Sequence, residues 1–283
     1  MKICATTILY NPPANFIENI ATYFQLVDHL FIVDNSTNST SNFEKLIKKF
    51  GEESITFLHF EHNIGIAAAL NESCQLAFRQ GFGWILTMDQ DSYFEGDAFF
   101  KLANPLFYNN EIAIMAASFT IIMPFLSTFS PNFWESYMVI TSGSLVNLSA
   151  WNVIRFNEDL FIDEVDNYFC LMAKKAGYKI LTSREILLKH QLGDFVVLKI
   201  PGIKKQFRVG FHSSPIRNYY VTRNSLFIIK ASMSLYPSVA INRIKNLFMR
   251  FIFILFFYPQ KRNCLKYVFR GVVDFSVGRY GKY

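Results

Sequence analysis

Trp84-Ile85-Leu86-Thr87-Met88-Asp89-Gln90-Asp91 is a short, mostly apolar run that ends in two carboxylates set one residue apart. Gly81 and Gly83 bound it on one side and charge bounds it on the other, so it reads as a buried strand. Upstream, Asn63-Ile64-Gly65 opens a helix in which Ala67, Leu70, Cys74 and Ala77 share one face. Ile55 to Phe60 precedes it as a strand, and Phe43, Ile47 and Phe50 mark a helix before that. Leu30 to Val33 is another strand, and Phe16, Ile20 and Phe24 recur at helical spacing. Ile3 to Leu9 is the first strand, ended by the turn Tyr10-Asn11-Pro12-Pro13. Strands alternating with helices in this way predict an α/β fold, a mostly parallel sheet flanked by helices.

Ligands of such sheets bind beyond the carboxyl ends of the strands. The polar residues fall there: Tyr10 and Asn11 after the first strand, Asp34-Asn35-Ser36 after the second, Asn63 after the third, Asp89 and Asp91 after the fourth. Hard divalent cations prefer oxygen ligands and share them with phosphates, so two carboxylates at a strand end point to a cation and a phosphorylated ligand. By themselves Asp34-Asn35-Ser36 is also a turn signal, and Asn63-Ile64-Gly65 also a helix start. His190, within an apolar run, reads locally as a core histidine, and Arg217 and Arg223 as a solvated helix face.

Beyond residue 110 the alternation loosens. Ile112 to Ile122 reads as a strand, and Thr141-Ser142-Gly143-Ser144 as a tight loop of small residues. Asn157 to Lys175 passes from an acidic loop into a helix, and Tyr178 to Leu181 and Ile186 to Leu188 read as strands. From about residue 215 the chain is helical. The expected organisation is a catalytic-sized domain over 1–230 and a helical, apolar and basic appendix over 231–283.

With 51% hydrophobic and 18% charged residues in 283, the chain is not a disordered one. A net charge of +6 predicts anionic partners. Nucleic acid is not among them, because the basic residues do not interleave with aromatics on one face and gather near the apolar tail. Cys4, Cys74, Cys170 and Cys264 lack metal-binding spacing and read as reduced, buried thiols. Met1-Lys2 runs directly into the first strand without a signal-peptide pattern. Leu247 to Tyr258 is too short to span a bilayer, which takes roughly 20 apolar residues. Arg243 and Lys245 precede it and Lys261, Arg262 and Lys266 follow, so an interfacial helix on an anionic membrane surface is expected; packing on the chain's own core or on a homodimer partner is the alternative.

The ordered set Tyr10-Asn11-Pro12, Val33-Asp34-Asn35-Ser36, Asn63-Ile64-Gly65-Ile66-Ala67, Leu86-Thr87-Met88-Asp89-Gln90-Asp91-Ser92 and Leu160-Phe161-Ile162-Asp163-Glu164-Val165-Asp166 resembles bacterial family 2 glycosyltransferases. The likeness runs on through Gly177-Tyr178, His190-Gln191-Leu192-Gly193, Arg217-Asn218-Tyr219-Tyr220 and Arg223-Asn224, and is nearest to the rhamnosyltransferase-like group that builds O-antigen and capsule. The resemblance implies a GT-A fold and an inverting, metal-dependent enzyme. Its donor is a nucleoside-diphosphate sugar, foremost TDP-rhamnose, with galactofuranose, glucose or galactose nucleotides as alternatives. Its acceptor is a lipid-linked saccharide at the cytoplasmic face of the bacterial membrane.

By the same resemblance Tyr10 and Asp34 hold the base, Asn63 and the Gly65 backbone line the nucleotide cleft, and Asp89 serves ribose and diphosphate. Asp91 and His190 hold Mg²⁺ or Mn²⁺, Asp166 is the general base, and Arg217 and Arg223 meet the diphosphate. Choosing Asp166 over the neighbouring Asp163 and Glu164 follows the resemblance, not periodicity. Tyr168 and Met172 stand where the family carries Glu and Arg, which raises the alternative of a non-catalytic, sugar-nucleotide-binding or membrane-binding homologue.

Overall fold

All residues of the first strand, β1 (Ile3–Leu9), except its first are buried, as a strand needs when helices cover both faces of its sheet. In this computed structural model the described residues are 2–37, 40–103, 110–119, 125–190, 195–199, 206–210, 214–258 and 260–283. After β1 come α1 (Phe16–Phe24), β2 (His29–Asp34), α2 (Thr40–Phe50), β3 (Ile55–His59), α3 (Ile66–Arg79), β4 (Trp84–Asp89), β5 (Ser92–Phe94) and α4 (Ala98–Leu102). β6 (Ile112–Ser118), β7 (Phe125–Ser130), β8 (Phe133–Ser136), β9 (Ser144–Asn147), α5 (Leu148–Ile154), α6 (Val165–Lys175), β10 (Lys179–Ile186) and β11 (Leu188–His190) follow. The last elements are β12 (Phe195–Lys199), β13 (Gln206–Gly210), α7 (Arg217–Ser232), α8 (Pro237–Phe257) and α9 (Lys261–Ser276).

The chain divides into two compact units, Met1–His190 and Gln191–Gly281. The first is built on a nine-stranded sheet of order β3-β2-β1-β4-β9-β6-β10-β8-β7. β3, β2, β1 and β4 are mutually parallel. β9 runs against both β4 and β6, β6 is parallel to β10, and β8 runs against β10 and β7. Only β9 and β8 therefore oppose the common direction. The chain winds outward from β1 through β2 to β3, then returns to lay β4 on the other side of β1. That reversal makes a topological switch point between the carboxyl ends of β1 and β4. Small buried residues (Ala67, Ala69, Ser73, Cys74 and Ala77) form the packed side of α3, and Gly81 at φ 80° ends it.

The strand expected over Ile112 to Ile122 is shorter. It stops at Ser118, and residues 120–122 lie outside the described residues. The two strands expected over 178–181 and 186–188 are instead β10 and β11. β10 runs through the polar Ser183-Arg184-Glu185 with a register shift between Thr182 and Ile186, and that irregularity hides the strand from its sequence pattern. β5, β7, β8 and α5 had no separate signal. All four cysteines are buried, and burial pushes the Cys170 thiol up to about 12.

In the second unit α9 packs on α7 through Gly271, where an added Cβ would stand 2.8 Å from the Tyr219 carbonyl oxygen. Asp274 of α9 is buried and accepts hydrogen bonds from Tyr219 Oη (3.0 Å) and Arg270 Nε (3.1 Å). Among the described residues no helix is long and apolar enough to cross a membrane.

Candidate active site

The switch point carries the acidic motif. β1 and β4 pair in register with Ile8 opposite Asp89, so Tyr10 and Asp89-Gln90-Asp91 leave the sheet side by side. Gln90 ties the two ends together. Its Oε1 accepts from the Tyr10 amide at 2.9 Å, and its Nε2 donates to the Tyr10 carbonyl at 3.2 Å. The Asn19 amide group also donates to the Gln90 carbonyl at 3.0 Å. The residue between the two carboxylates thus fixes the loop that presents them, and Tyr10 is left half exposed at the rim.

The third member of the cluster comes from far along the chain. After Asp91 the chain forms β5, which pairs antiparallel with β11 and sets His190 opposite Ser92. His190 Nδ1 lies 3.6 Å from Asp91 Oδ1 and 2.7 Å from Ser92 Oγ, and its ring meets Phe119 edge-on. Asp89, Asp91 and His190 each offer a ligand atom within 4.8 Å of the others, and all three are half-buried. Two carboxylate oxygens and one imidazole nitrogen suit Mg²⁺ or Mn²⁺, with room for ligand oxygens. The residues present therefore fit such a cation. Beneath them the buried Tyr23 phenol shares a hydrogen bond with Thr7 Oγ1 at 2.6 Å. Burial, with a smaller push from the Asp89 charge, holds that phenol well above its ordinary range, so it stays protonated.

The loops after β2 and β3 join this rim. Asp34 is fully buried. Its Oδ1 accepts from the Ser36 amide and its Oδ2 from Asn42 Nδ2, both at 2.8 Å. In this conformation it shapes the loop, and Ser36 Oγ in turn accepts from the Asn11 amide at 2.8 Å. Asn63 folds back through its side-chain oxygen onto the Gly65 amide at 2.8 Å, and Asn35 Oδ1 accepts from the Ile64 amide at 3.4 Å.

Gly65 explains why a glycine opens α3. Its φ is 87°, and an added Cβ would meet Phe161 Cδ2 at 2.5 Å and the Phe161 carbonyl at 2.7 Å. That carbonyl accepts from the Ile66 amide at 2.7 Å. The loop leading to Asp166 is thereby docked on the start of α3. Phe161, Asp163 and Glu164 all hold positive φ there, and Asn167 Nδ2 steadies the last of them by donating to Glu164 Oε2 at 2.8 Å. Asp166 sits in the first turn of α6, and its Oδ1 accepts from the Asn167 amide at 2.8 Å. Gly65→Ala is expected to cost about 2–4 kcal/mol, the sum of left-handed strain and overpacking. Gly51→Ala, at φ 82° with nothing nearby, should cost only about 1 kcal/mol. Urea unfolding midpoints of the two variants check the difference.

The two arginines lie in the second unit. Arg217 begins α7. Arg223 is fully buried there; its Nη1 donates to the Gly281 carbonyl (2.7 Å) and Tyr219 Oη (3.2 Å), and its Nε to Asn224 Oδ1 (2.9 Å). In place of a solvated helix face, its cation is engaged inside that unit's core. Gln191-Leu192-Gly193 lie outside the described residues. Two buried side chains given no site role from the sequence, Ser92 and Ser142, contact the cluster directly; Ser92 closes the motif Leu86–Ser92 and Ser142 lies in the small-residue run 141–144.

The architecture is shared with solved structures. It aligns with the crystal structure of S. aureus TarS 1–349 at a TM-score of 0.58 and 17% identity, covering 96% of this chain and 81% of that one. A structure of GalNAc-T7 with UDP, GalNAc and Mn²⁺ aligns at 0.54 and 10% identity, covering 80% and 51%. These likenesses establish the GT-A fold. In sequence the chain is 27% identical over 250 residues to the dTDP-rhamnosyl transferase RfbF of Shigella flexneri, covering 81% of this chain and 80% of the relative. Residues 8–165, more than half of the chain, match the family model described as Glycosyl transferase family 2. With the switch-point acids in place on that fold, the chain belongs to glycosyl transferase family 2.

Proposed function

We propose that the protein transfers L-rhamnose from TDP-rhamnose to a lipid-linked saccharide acceptor, with inversion, at the inner face of a bacterial membrane. The observation that carries the reading is the convergence of Asp89, Asp91 and His190 on one point at the β1/β4 switch. The sugar is suggested by the Shigella flexneri relative. When bound, Mg²⁺ or Mn²⁺ offsets the charge that develops on the departing diphosphate. Asp89, Asp91 and His190 would hold that cation and, through it, the donor's phosphates. Tyr10, exposed at the rim, stacks on the base, and the loop of Asn35, Asn63 and Gly65 lines the nucleoside. Asp34, buried beneath that loop, keeps its shape. Asp166 accepts the acceptor hydroxyl proton as the sugar–oxygen bond forms through an oxocarbenium-like state. A single displacement needs one base, and the leaving diphosphate needs no acid.

The second unit fits a membrane role for the 231–283 appendix. Ile241, Ile244, Phe248, Met249 and Phe256 are exposed along one side of α8, and Phe269, Val272 and Val273 are exposed on α9. Residues 233–283 carry nine Lys and Arg against one acid, Asp274, and that acid is buried. An apolar stripe with a cationic rim and no exposed carboxylate suits anionic lipid better than water. The protein should float with phosphatidylglycerol vesicles and not with phosphatidylcholine ones, and the double change Phe248→Glu and Phe256→Glu should weaken flotation at least tenfold. Equal flotation of that variant, or a concentration-dependent dimer that it dissolves, would transfer the face to a protein partner.

Purified protein with Mn²⁺ and a panel of nucleotide sugars tests the donor. TDP-rhamnose should raise the melting temperature most and be turned over. A larger shift and faster turnover with a galactofuranose, glucose or galactose nucleotide would reassign the donor, and cation-independent silence towards all of them would leave a non-catalytic homologue.

A further inference from the structure

Behind the acidic cluster lie two hydroxyls that the proposed reaction does not use. Ser92 and Ser142 are 0% and 1% exposed. The Asp89 amide donates to Ser142 Oγ at 3.0 Å, Ser142 donates to Ser92 Oγ at 2.8 Å, and Ser92 Oγ lies 2.7 Å from His190 Nδ1. The two side chains therefore form a continuous bridge from the backbone of one end of the cluster to the ring of the other.

The fold delivers both hydroxyls by backbone means. Ser92 is set opposite His190 by the β5–β11 ladder. Ser142 is set by its neighbour Gly143, whose amide donates to the Thr87 carbonyl at 2.8 Å and so anchors the small-residue loop at the end of β4. Gly143 holds φ 72°, and an added Cβ would lie 2.8 Å from Leu188 Cδ1, two residues before His190. The serine loop and the histidine strand are thus packed on one another with no space for a side chain between them.

We propose that Ser92 and Ser142 are positioning residues for the cation site. The contact of Ser92 Oγ with Nδ1 fixes the tilt of the imidazole within the cluster, while Ser142 locks that ring to the Asp89 backbone. A ligating histidine is commonly oriented through its other nitrogen, and loss of such a partner costs about 10–100-fold in metal affinity. The inference rests on the cation reading of Asp89, Asp91 and His190 given above.

The test is Mn²⁺ affinity of the full chain without donor, read by electron paramagnetic resonance, with a melting curve for each variant. Ser92→Ala should raise the Mn²⁺ dissociation constant about 10–100-fold, and Ser142→Ala in the same direction; the second variant carries the test should the first not fold. In a His190→Ala background, Ser92→Ala should change that constant by less than about twofold, because its effect passes through the ring. A constant unchanged in both serine variants, or an equal loss with and without His190, overturns the inference and leaves the cation reading intact. Wild-type protein that binds no Mn²⁺ overturns both.

Discussion

Replacing Asp91 with alanine is expected to lower kcat/KM by at least about a thousandfold and to abolish cation-dependent donor binding. The size follows from what the residue does in the cluster. Its Oδ1 lies 3.6 Å from His190 Nδ1, and with Asp89 it is one of two carboxylates at the half-buried point proposed to hold the cation. Without it the remaining donors are one carboxylate and one imidazole, too few oxygen ligands to hold a strongly hydrated divalent ion. Charge developing on the diphosphate would then be unopposed, and a loss of about 4 kcal/mol in transition-state stabilisation is a factor of about a thousand. Steady-state kinetics over a Mn²⁺ series checks it. A variant that keeps its cation dependence with less than a tenfold loss would show that the cation is held elsewhere.

Asp166→Asn is expected to reduce kcat about 10²–10⁴-fold while leaving donor affinity within about twofold of wild type. The substitution is nearly isosteric, and the amide oxygen of Asn can still accept the hydrogen bond that Asp166 Oδ1 takes from the Asn167 amide. The first turn of α6 therefore stays in place and only basicity is lost. Donor binding by calorimetry alongside single-turnover transfer separates the two quantities. Near-wild-type transfer would move the base to Asp163 or Glu164, which hold the strained turn just ahead of it.

Donor binding and transfer should thus fail separately at two places. Asp91 stands on a strand end shared with Gln90 and Tyr10, whereas Asp166 stands on a helix whose approach is docked through Phe161 onto Gly65. The Gly65→Ala variant connects them, since displacing Phe161 disturbs both the start of α3 and the entry to α6.

The first half of the sheet was legible because its signals are local. Apolar runs of strand length alternate with helical spacing from Ile3 to Met88, and polar residues end each strand, so the site edge follows without knowledge of any contact. Asp89 and Asp91 were found this way. The role of Gly65 was half legible: a glycine at a helix start is a common signal, but its partner, Phe161, lies about a hundred residues on. Local polarity was ambiguous at specific positions. Asp34 reads by itself as a turn signal and Arg223 as a solvated helix face, and both are fully buried with protein partners, since a charge in sequence does not say what its counterpart is.

His190 marks the limit most sharply. Its neighbours are apolar, so from sequence alone it reads as a core histidine, and only a family resemblance suggested otherwise. The strand that makes it a member of the cluster, β5, is three residues long and has no periodicity to detect. The sequence places Ser92 and Ser142 near the site edge but not against His190, because a hydroxyl's value lies in what faces it. By itself the sequence determined the α/β order, the switch-point edge and the carboxylate pair, all of which rest on spacing along the chain. Only the tertiary structure decided which distant side chains complete that pair, because the antiparallel pairing of β5 with β11 is a contact across 98 residues that no local pattern encodes.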